Sequence, residues 1–496
     1  MNKKQIVILT AYRQRFFAII IISAMVLVSG RAEHLSASNK LNDSILVIVN
    51  AESQYDLFSG TVLVAKEGKV IYSGAFGDAN REKGDPIILN TRFNISSVQK
   101  TFIATLVMQL YQDSIIDLED PLTKYYPESP WTSAGQIQLK YLLNHTSGLA
   151  DYRDNDEYQR NCDKYTSIGD VLPLIWKYKP AFTPGERFEY SNAGLLLLKG
   201  IIEKVTGKKL AAAIKERIWD PLGMKNTTFY VGGDFLDNKA IAYSLASDAE
   251  TYEPVLEEPS AYAGGGIYTT VGDLLKFDQA LYGDKLLSEE YRTLMFTPVA
   301  ASPNYAYGWI VVEFGGTTVI YHSGGSGGFN SEFRRYPELG YTVIVLSNYQ
   351  GAASELANKI DCMLLGLPYE LATEADLYYK RGMHFQNQKL YSKALESFQK
   401  NLGSSTPHMA SLYQAARTRI LGQFDQKAAI ELLDRYISLA DEITRPSIAA
   451  AWWRKGVAYE QLGEIEKAIS CHESCLELDT GFSDAREALV RLRKSN

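Results

Sequence analysis

The sequence lacks the features that several classes of protein require. Its 496 residues include 51 basic and 58 acidic side chains, so the net charge is -7 and no basic surplus remains to neutralise phosphates. Nucleic acid is therefore not expected as a partner. The six histidines never pair at metal-ligand spacing, and no Rossmann or P-loop pattern occurs. We expect neither a bound metal nor a cofactor.

Cysteine is also scarce, with four residues in the whole chain. Cys471 and Cys475 are one helical turn apart, a spacing that suits packing better than a disulfide. Cys162 and Cys362 could form a bridge in an oxidising compartment, and the sequence leaves that pairing open.

The apolar run at the N-terminus, residues 16–28, is shorter than the ~20 residues that a membrane-spanning helix needs. It follows a basic segment and precedes small residues, which is typical of a signal peptide. Residues 1–30 are therefore predicted to be a signal peptide, with an uncleaved signal anchor as the open alternative. We expect export to the periplasm or the cell exterior, and membrane contact only if the segment stays uncleaved.

Residues 45–368 have the mixed patterning of an α+β domain. Apolar β-branched runs such as "GTVLVAKEGKVIYSGAFG" and "YTVIVLSN" stand near its two ends, and amphipathic helical stretches such as "KTFIATLVMQLYQ" lie between them. This arrangement predicts a sheet that joins the two ends of the segment, with helices packed on it.

Residues 370–496 lose the strand pattern and are rich in helix-forming residues. Small residues recur there in three pairs, each pair twelve positions apart: Gly382 and Ala394, Ala416 and Ala428, Gly456 and Ala468. The first two pairs are 416 − 382 = 34 residues apart, which resembles the tetratricopeptide repeat of paired helices. We expect a separable all-α repeat domain that binds a protein or peptide partner, the alternative being a generic helical bundle.

The stretch "FNISSVQKTF" places Ser97 three residues before Lys100 at the predicted start of a helix. A serine hydroxyl needs a base within hydrogen-bond reach, and a lysine one turn along the same helix face can supply it. The spacing alone is not specific, because Ser397 and Lys400 share it.

Two further motifs accompany this pair. The chain has 32 tyrosines but one Tyr-x-Asn, at Tyr190 and Asn192. A phenol near an ammonium can be drawn toward phenolate and shuttle a proton, and the Asn192 amide can bind a substrate amide. The alternative is a buried tyrosine before a helix cap. His145, in "LLNHTSGLADY", is interpreted as supporting a loop near the site.

The third motif begins at His322, where "YHSGGSGGFNS" closes a predicted strand. Gly324 and Gly325 would let a substrate lie against the strand backbone. The segment also satisfies G-x-S-x-G at Ser326, but more strand follows where a nucleophile elbow requires a helix, so Ser326 is predicted to be a loop residue.

The ordered motifs Ser97-x-x-Lys100, Tyr190-x-Asn192 and His322-x-Gly324 resemble the serine β-lactamase and penicillin-binding-protein superfamily, specifically its class C β-lactamase-like branch. The resemblance implies an antiparallel sheet flanked by helices, plus a helical domain. It implies that Ser97 is acylated, that Lys100 and Tyr190 share acid/base work, and that Asn192 holds the substrate amide. The N–H groups of Ser97 and Gly325 would form the oxyanion hole.

One departure from this pattern concerns the substrate, because many relatives of this kind have a lysine where this chain has His322. A mostly neutral histidine weakens the anchor for a substrate carboxylate. We therefore expect a serine acyl hydrolase that cleaves a D-amino-acid peptide, as a D-Ala-D-Ala carboxypeptidase or D-aminopeptidase would, or an amide or ester. The alternatives are a β-lactamase and a non-catalytic penicillin-binding or sensor protein whose repeats bind partners.

Overall fold

The computed structural model describes residues 40–165, 167–230, 236–255, 266–441 and 444–495. The predicted signal segment, residues 1–30, lies outside these ranges. Within them, no helix is both long enough and apolar enough to span a bilayer.

A six-stranded antiparallel sheet forms the centre of the first domain, with the strand order β10-β11-β12-β13-β1-β2. Its strands are β1 (Gly60–Lys66), β2 (Lys69–Phe76), β10 (Ile310–Phe314), β11 (Thr317–Ser326), β12 (Phe329–Tyr336) and β13 (Tyr341–Ser347). The first strand pairs with the last, so the sheet joins the two ends of the segment as predicted. The α+β fold class is confirmed.

Smaller strands border the sheet: β3 (Asp78–Asn80), β4 (Asp85–Pro86), β5 (Phe93–Asn94), β6 (Thr228–Phe229), β7 (Tyr243–Leu245), β8 (Tyr252–Pro254) and β9 (Ile267–Thr269). The helices of this part are α1 (40–54), α2 (Gln99–Gln112), α3 (Leu122–Tyr125), α4 (Leu139–Leu143), α5 (Asp156–Asn161), α6 (Ile168–Trp176), α7 (Asn192–Thr206), α8 (Leu210–Ile214), α9 (Asp220–Leu222), α10 (Val271–Ala280), α11 (Glu289–Met295) and α12 (Ala352–Leu364).

Helices cover both faces of the sheet, because both faces of its central strands are apolar. On β1, Val62 and Val64 pack in one cluster with Leu356 of α12. The alternate residues, Leu63 and Ala65, join a second cluster on the other face, which includes α2 and α10. This period-two alternation between two covered faces explains why β1 reads as a continuous apolar run.

Helix α2 is buried on all sides, from Gln99 to Leu110. Phe102 stacks on Phe277 of α10, with ring centroids 4.2 Å apart. A helix enclosed in this way has a fixed position, and so do the side chains at its N-terminal end. Those side chains include Ser97 and Lys100.

The C-terminal region is entirely helical: α13 (Glu374–Asn387), α14 (Tyr391–Leu402), α15 (Met409–Gly422), α16 (Gln426–Leu439), α17 (Ile448–Gln461), α18 (Ile465–Leu478) and α19 (Ser483–Ser495). The predicted boundary near residue 368 falls in the connection between α12 and α13. The small residues permit close helix crossing, since a methyl built on Gly382 would lie 2.6 Å from the Phe398 ring.

One predicted repeat position is shifted. Ala428 is half-buried, whereas Ala429 is fully buried in the cluster between α15 and α16. Asp425 caps α16 by accepting a hydrogen bond from the backbone of Ala428, so that residue lies in the first turn rather than at the crossing. The predicted pair Ala416 and Ala428 is therefore wrong by one position.

The hairpin of β7 and β8 joins the α+β domain to the first helices of the C-terminal region. Ala249, at its tip, has no exposed surface and packs with Phe385 and Phe398. Lys380 donates to the Tyr252 hydroxyl at 2.9 Å, and His384 lies 2.9 Å from the carbonyl oxygen of Ala246. Removing residues 370–496, which were expected to form a separable domain, would therefore expose the apolar tip of this hairpin.

We predict that Phe398→Ala in the full chain loosens the hairpin, residues 243–254. The substitution removes the ring from the cluster around Ala249, a change that typically destabilises by about 3–5 kcal/mol. Hydrogen–deuterium exchange of the hairpin amides should accelerate. Phe482→Ala is the matched control, because Phe482 packs on Trp453 at the far end of the repeats. Equal hairpin exchange in Phe398→Ala and the parent chain would contradict the docking described here.

Candidate active site

Ser97, the predicted nucleophile, lies on a tight turn between β5 and α2. Ser96 has a left-handed backbone, with φ of 47°, and its N–H donates to Asn94 Oδ1 at 2.9 Å. Such a conformation is strained for a residue with a side chain, and the buried surroundings hold it in place. The next residue, Ser97, is half-buried and remains accessible.

Lys100, the predicted base, lies within hydrogen-bond reach of Ser97. Its Nζ lies 2.9 Å from Ser97 Oγ and 3.1 Å from Asn192 Oδ1, and the residue is only 1% exposed. Burial lowers the pKa of Lys100 to about 7; the nearby charge of Asp151 opposes this shift and that of Arg153 adds to it. A large fraction of Lys100 is therefore a neutral amine at neutral pH.

Tyr190 approaches Ser97 from the other side and donates from its Oη to Ser97 Oγ at 3.1 Å. Burial raises the pKa of Tyr190 to about 12. The expectation that Tyr190 is drawn toward phenolate is therefore wrong, since burial favours the protonated phenol.

These protonation states give Ser97 a consistent set of hydrogen bonds. A neutral Lys100 amine has a lone pair that can accept the Ser97 proton, and its N–H can donate to Asn192 Oδ1. Ser97 Oγ also accepts from the Tyr190 phenol. The hydroxyl is thus held between a base that can take its proton and an acid that can supply one.

His145 supports the Tyr190 segment. Its Nδ1 accepts the N–H of Ser191 at 3.2 Å, and its ring centroid lies 4.3 Å from that of Tyr190. Burial, followed by the charge of Lys100, lowers the pKa of His145 well below its usual value. The His145 imidazole is therefore an uncharged side chain that lines the site.

Strand β11 runs directly beside Ser97. A methyl built on Gly324 would lie 2.2 Å from the carbonyl oxygen of Ile95 and 3.0 Å from the Ser97 nitrogen. Ser331 Oγ, opposite Gly324 on β12, donates to the same Ile95 oxygen at 2.8 Å. The pairing of β10 with β11 ends at Tyr321, so the part of β11 that lies next to Ser97 is not paired with β10. A substrate can approach the backbone there, where Gly325 follows Gly324.

His322 occupies a different position from the one expected of a substrate-binding side chain. It is 2% exposed, with Nε2 3.0 Å from the Tyr305 hydroxyl and Nδ1 2.6 Å from the carbonyl oxygen of Ser323. Because that carbonyl can only accept, Nδ1 carries the proton and Nε2 accepts from Tyr305. Burial, with Lys100 as a second cause, lowers the pKa of His322 to about 3. The ring is neutral and both nitrogens are engaged, so what a substrate meets here is strand backbone.

Ser326 is the last residue of β11 rather than a loop residue as predicted. The turn that follows leads into β12 and not into a helix, so the geometry of a nucleophile elbow is absent at this serine.

A cavity of about 380 Å³ opens beside Asn192. Its walls are mostly polar and comprise Asp151, Arg153, Asp154, Tyr158, Gln159, Cys162 and Asn192. Cys162 is a free thiol, as are Cys362, Cys471 and Cys475. Among the described residues, no three His, Cys, Asp or Glu side chains are grouped to hold a metal ion.

Sequence reasoning missed Asp151, which binds Asn192 directly. Its Oδ2 accepts from the Asn192 side chain at 2.6 Å and from the Asn192 backbone at 3.1 Å. The residue lies in the quoted stretch "LLNHTSGLADY", but no spacing rule connects it with a motif 41 residues away. Only the fold brings the two together.

Comparison with protein families gives two matches. Residues 37–364 match the Beta-lactamase family, and residues 449–481 match the Tetratricopeptide repeat. The second match covers α17 and α18, the last helix pair before α19.

The individual proteins that are similar to this chain include penicillin-binding proteins and hydrolases of D-amino-acid compounds. The chain is 31% identical over 341 residues to penicillin-binding protein 4* of Bacillus subtilis, spanning 63% of this chain and 74% of that protein. It is 30% identical over 313 residues to a teichoic acid D-alanine hydrolase of Staphylococcus aureus, spanning 60% and 72%. A D-stereospecific amidohydrolase of a Streptomyces species superimposes with a TM-score of 0.56 at 26% identity, over 65% of this chain and 99% of that one.

We predict that Gly324→Ala reduces acylation of Ser97 by about 100-fold or more. The added methyl would collide with the backbone of Ile95 and push β11 away from the nucleophile, a displacement comparable with losing one oxyanion donor. Gly325→Ala is the comparison variant, because a methyl there meets nothing closer than the Phe329 oxygen at 4.0 Å, and we expect a smaller loss. The rate is measured with a fluorophosphonate probe on variants of matched thermal stability. Equal rates for both variants would contradict this account of β11.

Proposed function

The chain belongs to the beta-lactamase family and carries a tetratricopeptide repeat, and we propose that this serine hydrolase cleaves D-aminoacyl esters or amides through an acyl-enzyme on Ser97. The observation that carries the proposal is the contact of Ser97 Oγ with a buried lysine on one side and a phenol on the other. This arrangement supplies the base and the acid that acyl transfer requires.

The proposed reaction begins at the neutral Lys100 amine. Lys100 takes the proton of Ser97 as Oγ bonds to the substrate carbonyl carbon, and the N–H groups of Ser97 and Gly325 receive the oxyanion. Tyr190 then gives its proton to the leaving oxygen or nitrogen as that bond breaks, and the Lys100 ammonium restores the phenol. Water then attacks the acyl carbon and its proton passes to Lys100. As the bond from the acyl carbon to Ser97 Oγ breaks, the Lys100 ammonium gives that proton to Oγ and returns to the neutral amine.

Three observations support a D-aminoacyl substrate. The similar proteins named above include a teichoic acid D-alanine hydrolase and a D-stereospecific amidohydrolase. The wall of the cavity beside Asn192 holds two carboxylates and one guanidinium, and this excess of negative charge suits a substrate with a free amino group. The neutral His322 offers no fixed cation to a substrate carboxylate, which argues against substrates that depend on such an anchor.

We further propose that the protein is exported and that its repeats bind a protein or peptide. The basic and apolar N-terminal segment supports export. The paired helices α13 to α18 support partner binding, because stacked helix pairs form concave surfaces that suit peptides. N-terminal sequencing of the mature protein after cell fractionation tests the export proposal, and an intact Met1 on cytoplasmic protein would contradict it.

We predict that the purified protein hydrolyses a D-alanyl p-nitrophenyl ester with at least about tenfold higher kcat/KM than the L-alanyl ester. Ser97→Ala should reduce the activity by at least about 10³-fold, because the acyl-enzyme cannot form. Ser326→Ala is the matched serine control and should retain the activity, since Ser326 ends β11 and is followed by a strand instead of the helix that a nucleophile elbow requires.

Intact-mass spectrometry after fluorophosphonate labelling identifies the acylated residue. Labelling that survives Ser97→Ala but not Ser326→Ala would overturn the proposed nucleophile. Faster turnover of a cephalosporin than of either ester would favour a β-lactamase instead.

A further inference from the structure

Asp151 occupies the start of a short 3-10 helix, residues 152–154, at the mouth of the cavity beside Asn192. Its Oδ1 accepts the backbone N–H of Arg153 at 3.0 Å, which fixes the carboxylate relative to its own loop. Its Oδ2 accepts from both the backbone and the side chain of Asn192. One carboxylate therefore ties this loop to the first turn of α7.

This contact determines how the Asn192 amide is oriented. A carboxylate can only accept hydrogen bonds, so the nitrogen of the amide must face Asp151 and the oxygen must face Lys100. The Asn192 oxygen is in turn an acceptor, so it draws an N–H of Lys100 toward itself at 3.1 Å. The lone pair of the neutral amine is then left for the Ser97 proton. A flipped amide would place its NH₂ group against the Lys100 amine and remove this orientation.

Asp151 is also the carboxylate that acts electrostatically on Lys100. Its negative charge favours the ammonium and opposes the effect of burial on the pKa of Lys100. The other titratable groups that face or interact with Lys100 are Arg153, His145, Tyr190, Lys199 and His322. His145 and His322 are neutral, Tyr190 is a phenol, and burial, with the charge of Lys100, lowers the pKa of Lys199 to about 7.

We propose that Asp151 is a positioning residue for acyl transfer: it fixes the Asn192 amide and, through that amide, directs the Lys100 lone pair at Ser97. This inference rests on the proposed function, because it assigns Asp151 a part in the same reaction. Asp151 itself acts through Asn192 and Lys100 and need not touch the reacting atoms.

The test is Asp151→Asn, which keeps the shape of the side chain but removes the charge and the strict preference for accepting. We expect the maximal kcat/KM for the D-alanyl ester to fall about 10- to 100-fold, because misoriented catalytic groups lose this much. We also expect the acid limb of the pH profile to move down by about one unit, because removing a negative charge near an ammonium lowers its pKa. A merely structural role would lower the plateau without moving this limb.

A double-mutant cycle separates action through Asn192 from a general effect. In an Asn192→Ala background, Asp151→Asn should change kcat/KM by less than about twofold. Asp156→Asn removes a nearby exposed carboxylate at the start of α5 and should leave the acid limb in place. If Asp151→Asn fails to fold, Asp151→Glu serves as the test variant. It should lower the maximal kcat/KM while keeping the acid limb of the pH profile within about half a pH unit of the parent, because the negative charge is retained.

Additive effects in the cycle, or an acid limb that does not move in folded Asp151→Asn, would overturn the role of Asp151. This failure is distinguishable from failure of the proposed function. In the first case the parent chain still shows Ser97-dependent hydrolysis; in the second, Ser97→Ala has no effect on the parent activity.

Discussion

The active site depends on one buried amine. Lys100 is enclosed at the start of a helix that is itself buried on every side, and its two described hydrogen-bond partners are the neutral groups Ser97 Oγ and Asn192 Oδ1. An ammonium in such surroundings is penalised by lost hydration, and no carboxylate of the described residues bonds to Lys100 directly to compensate. In the proposed mechanism, the resulting neutral amine is the base that makes the Ser97 hydroxyl reactive. The rings of His145 and His322 are buried and neutral, so they add no charge to the surroundings of Lys100.

The sheet and the repeats are connected to this site by packing. The hairpin of β7 and β8 buries Ala249 among repeat side chains, and Tyr243 at its base adjoins the turn between β11 and β12. A methyl built on Gly328 in that turn would lie 2.9 Å from the Tyr243 carbonyl oxygen. The turn that follows β11, the strand containing Gly324, therefore packs against the hairpin of β7 and β8. That hairpin in turn packs on the repeat helices.

The sequence was sufficient for the elements that follow local rules. Strand alternation indicated the sheet that joins the two ends of the domain, and the spacing of Ser97 and Lys100 placed both on one face of a helix turn. The side chains whose behaviour depends on distant parts of the chain were not predictable in this way. The Nε2 of His322 is engaged by the hydroxyl of Tyr305, and the Tyr190 phenol keeps its proton because of burial. Asp151 reaches Asn192 only after the loop and α7 have packed. Ala429 replaces Ala428 because a capping aspartate sets where α16 begins.

The proposed mechanism requires Lys100 to be a neutral base near physiological pH, as its burial favours. The direct measurement is a ¹³C NMR titration of the lysine ε-carbons in the folded protein. The Lys100 resonance is assigned by its absence from Lys100→Met, and Lys199→Met removes the second lysine whose pKa burial lowers to about 7. We expect a midpoint for Lys100 near pH 7, with the neutral amine predominating above it. A midpoint near the ordinary lysine value of about 10.4 would rule out the proposed role of Lys100, because Lys100 would then be an ammonium that cannot accept the Ser97 proton.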